Sequence, residues 1–235
     1  MLKDLRAFLK EFRTSFRTTG AVIPSSRYLA TEMTSRLAER PPAPIRVLEA
    51  GPATGAFTRK ILTYLGPEDQ LDLCEINPRF VQYLERWLAK PAAGPRIRIF
   101  ARSVLEVPVE APYDYIISGL PLNNFGPLEV QAILEHFLAL GRPGTEFSDF
   151  EYWSLRALMT GLSAGAERAR LKDVNLVIRR FIREHGSEKS IVWRNLPPAR
   201  ALHFRFQNGA REDAANKVGF RRPAPTALPP GRRHF

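Results

Sequence analysis

The chain has 235 residues, of which 44% are hydrophobic and 25% charged, enough for one substantial core of ordinary globular composition. Lys and Arg number 35 against 24 Asp and Glu, and the net charge of +11 favours a polyanionic partner, either nucleic acid or an acidic membrane surface. The single cysteine, Cys74, excludes a disulfide framework within the chain, and no apolar run approaches the roughly 18 residues of a spanning helix.

From Met1 to Thr18, Leu2, Leu5, Phe8, Leu9, Phe12 and Phe16 recur at helical spacing and fall within an arc of roughly 120°. Lys3, Arg6, Lys10, Arg13 and Arg17 border that arc. Residues 1–18 are therefore predicted to form a basic amphipathic helix. Such a helix either lies on an anionic bilayer or docks its stripe on the protein's own core. The charged amino terminus does not read as a secretory leader. Ser25 or Ser26 is positioned to cap a helix through Leu37, which the prolines at 41, 42 and 44 end.

Ile45 to Glu49 is an apolar run, as expected of a parallel strand covered on both faces. Gly51 and Gly55 follow in a turn that lets backbone approach a ligand. The spacing is not the dinucleotide fingerprint, because Ala53 and Ala56 stand where that frame needs glycine. An acid at the strand end, Glu49, is awkward beside a pyrophosphate and natural beside an ammonium group. A second strand, Leu71 to Glu75, ends in an acid suited to accept hydrogen bonds from ribose hydroxyls. Cys74 in that strand reads as a small core residue.

Pro78 to Ala89 is predicted helical and Arg96 to Phe100 a third strand, after which Ser103 or a backbone amide is left to read a base. Tyr113 to Ser118 is predicted to run as a fourth strand into the rigid turn Gly119-Leu120-Pro121, followed by Leu122, Asn123, Asn124 and Phe125. Open α/β sheets bind ligands at that end of a central strand. Leu128 to Leu140 is predicted as a helix and Glu146 to Trp153 as a fifth strand bearing Tyr152 and Trp153. A helical region extends to His185, and two antiparallel strands, Ser190 to Asn195 and Ala201 to Phe206, complete a seven-stranded sheet. The chain from 207 to 235 is polar, basic and proline-rich, and reads as a mobile tail.

Three stretches carry a resemblance: Gly20 to Ser26 with Leu29, Ala30 and Met33; Glu49 to Gly55 with Glu75; and Ser118-Gly119-Leu120-Pro121. Asn195 to Ala199 adds a fourth. The set resembles the class I methyltransferases, and within them the bacterial phospholipid N-methyltransferases that are similar to ribosomal RNA adenine dimethylases. The resemblance implies an α/β, Rossmann-like fold, with a mostly parallel seven-stranded sheet carrying an antiparallel edge strand, over residues 19–206. It implies S-adenosylmethionine as cofactor, held by Glu49, Gly51, Thr54, Gly55, Glu75, Ile76, Ser103, Val104, Ser118 and Gly119. It further implies successive methylation of the amine of phosphatidylethanolamine towards phosphatidylcholine. Ala53 where the fold usually has glycine, and the lack of an acid after the third strand, depart from the pattern.

Methylating an amine requires loss of its proton and alignment with the donor, so positioning and desolvation must supply much of the rate. Each product is a cation, for which Tyr28, Phe125, Tyr152 or Trp153 offers an aromatic face. Leu120, Pro121, Asn123 and Asn124 complete the expected acceptor site, the asparagines orienting the amine or the lipid phosphate. No general base is evident: His136, His185, His203 and His234 are scattered. An RNA adenine methyltransferase is the alternative, but that chemistry wants a flat aromatic after Leu-Pro, where this chain has Leu122. The expectation is a cytoplasmic enzyme attached peripherally to the inner face of the membrane, meeting an anionic surface and a phospholipid. Lys3, Arg6, Phe8, Leu9, Lys10, Phe12, Arg13, Phe16 and Arg17 are its expected membrane contacts. No metal, nucleic-acid or protein partner is expected.

Overall fold

The computed structural model describes residues 26–89, 94–152, 165–195 and 197–207. The expected amphipathic helix of residues 1–18 with all its membrane contacts, the stretch 20–25, Trp153, Leu196, His234 and the tail beyond 207 lie outside the described residues.

Helix α1 (Arg27–Met33) begins where the Ser26 side chain accepts a hydrogen bond from the Leu29 amide at 3.2 Å. It is shorter than the sequence suggests: at Thr34 the chain tightens into a 3-10 turn, Ser35–Glu39. The Thr34 hydroxyl donates to the Ala30 carbonyl at 2.8 Å, alongside the Thr34 amide at 3.2 Å.

Strands β1 (Arg46–Ala50), β2 (Gln70–Cys74), β3 (Arg96–Phe100), β4 (Tyr115–Ser118) and β5 (Glu146–Glu151) are parallel. Strand β7 (Ala199–Arg205) runs antiparallel to β5 and to β6 (Glu188–Val192), giving the order β3-β2-β1-β4-β5-β7-β6. The seven-stranded, mostly parallel sheet is the one expected. Its antiparallel strand lies between β5 and the outermost β6.

Helices α2 (Ala56–Ile61), α3 (Pro78–Leu88), α4 (Pro127–Leu140) and α5 (Gly165–His185) connect the strands. Because successive strand residues point to opposite faces, the sheet builds two cores. On one face Leu48, Ile116, Phe147 and Leu202 meet Ile133 and Phe137 of α4 and Val174 and Phe181 of α5. On the other, Val47, Leu71, Ile117 and Ala201 meet Leu29 and Met33 of α1, Phe57 of α2 and Leu84 of α3. The carboxyl ends of β1, β2 and β4, and the turns that follow them, are the edge on which the candidate site lies.

Asp72 shows how this fold houses a structural acid. It is fully buried, yet Arg98 grips it through Nε at 2.8 Å and Nη2 at 2.7 Å, and the Tyr113 hydroxyl donates to it at 2.7 Å. Gln70 adds amide contacts at 3.0 and 3.1 Å. Burial alone would raise its pKa, but these partners outweigh burial and hold the carboxyl below its ordinary range.

Candidate active site

The turn after β1 is a tight backbone cradle. Gly51 and Gly55 have φ of +72° and +78°, and Ala53 between them has φ of +47°. An alanine in the left-handed region costs about 1 kcal/mol. The Ala53 amide is tied down, donating to Glu75 Oε2 at 3.0 Å, while Glu75 Oε1 accepts from the Asn77 amide at 2.8 Å. Glu75 is thus held rigidly just past β2, each oxygen retaining a lone pair. A side chain at Gly55 would meet the Trp87 ring at 2.7 Å, so the α3 tryptophan lies directly against the turn.

The turn after β4 comes equally close. The Gly119 amide donates to the Ala50 carbonyl at 2.7 Å, and a Cβ on Gly119 would lie 2.6 Å from the Gly51 carbonyl oxygen. The two motifs singled out in the sequence therefore meet backbone to backbone. Arg170 of α5 braces the second one, donating to the carbonyl oxygens of Asn123 at 3.0 Å and of Phe125.

Glu49 points from β1 to the α2 face, where the Thr58 hydroxyl donates to its Oε2 at 2.7 Å. Its Oε1 is buried with no hydrogen-bond partner. Burial is the main influence and lifts the Glu49 pKa to about 8, with the Thr58 hydrogen bonds opposing and Glu75 adding to the rise. Two further buried oxygens without partners lie at this edge: Asn123 Oδ1 after β4 and Asp149 Oδ1 on β5.

The other expected residues divide. Ile76, next to Glu75, is 74% exposed, an open apolar surface beside the turn. Ser103 caps the 3-10 turn Val104–Glu106 reciprocally with Glu106, and Val104 is buried in the core. Leu120 and Phe125 rest against the α4 and α5 core, Pro121 opens the 3-10 turn Leu122–Asn124, and Asn124 is exposed. Tyr152 rests edge-on to Phe150, with ring centroids 5.3 Å apart, on the opposite face of the sheet from Phe125. Tyr28 is not an open aromatic face. Guanidinium groups of Arg27 and Arg194 lie 4.9 and 5.2 Å from its ring centre, and both donate to its hydroxyl.

The described histidines stay away from this edge. His136 contacts the Val107 carbonyl at 3.0 Å and His185 stacks near Phe181, while His203 bonds Ser148 at 2.9 Å. His203 lines a charged cavity of about 430 Å³ at the opposite edge of the sheet. Ion pairs between its own walls fill that cavity's chemistry: Arg36 with Glu188, Arg142 with Asp114, and Arg205 with Glu146 at 3.6 Å.

Sequence reading missed Thr58, Arg170 and Asp149. Thr58 had a signal, a hydroxyl three residues after Gly55 and so one turn into the helix. Asp149 had a weaker one, an acid in a strand otherwise anchored by Phe147 and Phe150.

Residues 47–144 match the family described as "Methyltransferase domain". This stretch is similar to a methyltransferase domain. Over 217 residues, 90% of this chain and 99% of the other, the sequence is 25% identical to an ornithine lipid N-methyltransferase of Singulisphaera acidiphila. Among solved structures it resembles the Burkholderia thailandensis 1,6-didemethyltoxoflavin-N1-methyltransferase, determined with 1,6-didemethyltoxoflavin and S-adenosylhomocysteine. That TM-score is 0.56 at 18% identity, covering 88% of this chain and 90% of that one. It also resembles the Synechocystis magnesium protoporphyrin IX methyltransferase with bound S-adenosylmethionine, with a TM-score of 0.53 at 13% identity, covering 77% and 79%. These likenesses establish the fold as that of the class I methyltransferases. No described helix is long and apolar enough to cross a membrane.

Proposed function

We propose that this chain transfers methyl groups from S-adenosylmethionine to the primary amine of a membrane lipid, with phosphatidylethanolamine as the first candidate and ornithine lipid as the second. The observation that carries the cofactor half is Glu49, a fully buried carboxyl with one oxygen bonded by Thr58 and the other without a partner at the mouth of a glycine turn. A cation of the size of an amino acid's ammonium completes that carboxylate. Glu75, pinned by two backbone amides, offers its remaining lone pairs to ribose hydroxyls, and exposed Ile76 offers an apolar surface to a base. The close approach of Gly51 and Gly119 locks the two turns together backbone to backbone. When bound, S-adenosylmethionine supplies an electrophilic methyl group on a sulfonium.

The lipid half rests on Leu122 and on the ornithine lipid relative. Leu122 is 5% exposed and belongs to the α4 and α5 core, so the position after Leu120-Pro121 presents no flat ring on which an extruded adenine stacks. A primary amine needs no such platform. It needs a dry place to lose its proton and a polar group to aim it, and Asn123 with its bare Oδ1 stands in the same turn. The ornithine lipid relative, which this chain matches almost end to end, carries the second candidate. The basic stripe of residues 1–18 gives the enzyme a means of holding an anionic bilayer.

The test supplies full-length protein with labelled S-adenosylmethionine and, in parallel, phosphatidylethanolamine vesicles, ornithine lipid vesicles and total RNA. Label is expected in the organic-extractable lipid of one of the first two. Label in RNA alone would replace this reading with base methylation.

A further inference from the structure

Asp149 is a buried acid that neither the fold nor the proposed cofactor contacts use. It lies on β5 two residues beyond Phe147, so by strand alternation it shares the α4 and α5 face with Ser118, two residues beyond Ile116 on β4. The register that pairs Ile117 with Ser148 sets Ser118 and Asp149 at the same level of the sheet, at its carboxyl edge. The Ser118 hydroxyl and the Phe150 amide lie close enough to the carboxyl to favour its charged form. Oδ1 keeps no partner, and the residue is 5% exposed. Ser118 also accepts the Leu120 amide at 3.3 Å, which ties Asp149 to the turn that meets Gly51.

A carboxylate held this way is costly unless a cation completes it. Among the described residues, the surrounding elements offer none. Strand β7 presents Leu202 as the register partner, and α4 presents Ile133, Leu134 and Phe137 to that core. The charged groups on the same side are engaged elsewhere: Glu151 with Arg200 at 3.1 Å, and Arg170 with Glu167 and the turn carbonyls. Among the described residues, none supplies that cation.

We propose that Asp149 receives the ammonium of the acceptor and takes its proton before methyl transfer, an inference that rests on the lipid-amine reading. The acceptor arrives as R–NH3+. One N–H bond breaks, its electron pair stays on nitrogen, and the proton passes to Oδ1 of Asp149. The freed lone pair forms the new N–C bond as the bond from that methyl carbon to sulfur breaks, its pair leaving on sulfur. The nitrogen is again a cation, R–NH2CH3+, and Asp149 returns its proton to water before the next round. One proton is released per methyl transferred. Burial lifts the Asp149 pKa to about 7, against the nearby Ser118 hydroxyl and Phe150 amide, so the base form is available near neutrality.

The experiment measures kcat against pH for the full-length wild type, Asp149→Asn and Asp149→Glu on phosphatidylethanolamine and ornithine lipid micelles, with S-adenosylhomocysteine affinity by calorimetry. Wild-type kcat is expected to rise with pH through about 7 and then level. The Asn variant is expected to lose about 10²- to 10⁴-fold in kcat and to lack that limb while binding S-adenosylhomocysteine normally; the Glu variant is expected to recover part of the rate. An Asn variant that keeps the wild-type limb, or one that loses cofactor affinity as much as rate, overturns the assignment. The wild-type profile decides even where a variant folds poorly, because a kcat flat from about pH 5.5 to about pH 8 also overturns it. A wild type inactive on both lipids instead defeats the lipid-amine reading itself, and that result appears before any variant is made.

Discussion

Asp72 and Glu49 lie on adjacent strands, one register step apart, and both are fully buried, yet the chain treats them in opposite ways. Asp72 is gripped by Arg98, Tyr113 and Gln70, and its pKa falls below the ordinary range. Glu49 has a single side-chain partner, Thr58, one bare oxygen, and a pKa pushed up to about 8. Asp149 repeats the Glu49 pattern on β5. A satisfied buried acid serves the structure, whereas an incomplete one at the carboxyl edge of the sheet is, in the proposal above, kept for a ligand. The distinction is one of partners rather than of burial.

Removing a satisfied acid should cost most. Asp72→Ala leaves the Arg98 guanidinium and the Tyr113 hydroxyl without their acceptor, and the expected loss is about 3 kcal/mol in urea unfolding. Arg98 is 38% exposed, so water recovers part of the penalty on its side. If Asp72→Ala unfolds at the wild-type midpoint, the network is ornamental and the contrast fails.

The incomplete acids should behave in the reverse way. Glu49 and Asp149 have folded-state pKa values above their unfolded ones, so the native state binds more protons between about pH 4 and about pH 8. Ligand-free stability should therefore fall as pH rises through that window. At the acid end the sign reverses, because the depressed pKa of Asp72 makes its contribution vanish as pH drops through the folded value. Glu49→Gln should flatten the neutral slope, raising Tm at about pH 8.5 by a few degrees and changing it little at about pH 6. A slope unchanged in Glu49→Gln would show that the carboxyl is ionised in the ligand-free protein.

A smaller effect is expected at the strained turn. Ala53→Gly relieves the left-handed alanine but adds unfolded-state freedom, for a net change of about 0 to 1 kcal/mol in the stabilising direction. A loss of more than about 1 kcal/mol would mean that the Ala53 methyl is itself packed.

The β1 turn and the places of Glu49, Gly55 and Glu75 in the fold were legible because they are local. An apolar run, a turn and an acid at strand spacing carry their meaning within 30 residues. The sheet followed from the same reasoning, since unbroken apolar strands call for cover on both faces. What was not legible depended on distant pairing. Tyr28 reads as an open aromatic until Arg194, 166 residues away, arrives beside it. Asp149 becomes interesting only when β5 is set beside β4 and β7, which places Ser118 and Leu202 around it. The end of α1 had no visible breaker in the sequence; there the Thr34 amide and hydroxyl both bond the Ala30 carbonyl.

The most direct measurement of the distinction between the two kinds of acid is calorimetry of S-adenosylmethionine binding at about pH 7 in buffers of different ionisation enthalpy. With Glu49 protonated below about 8 in the free protein, pairing with the ligand's ammonium should ionise it and release close to one proton, roughly none in Glu49→Gln, with affinity lower by tenfold or more. Binding that releases no proton in the wild type, or that is as tight in Glu49→Gln, would contradict the assignment of the incomplete acid to the cofactor.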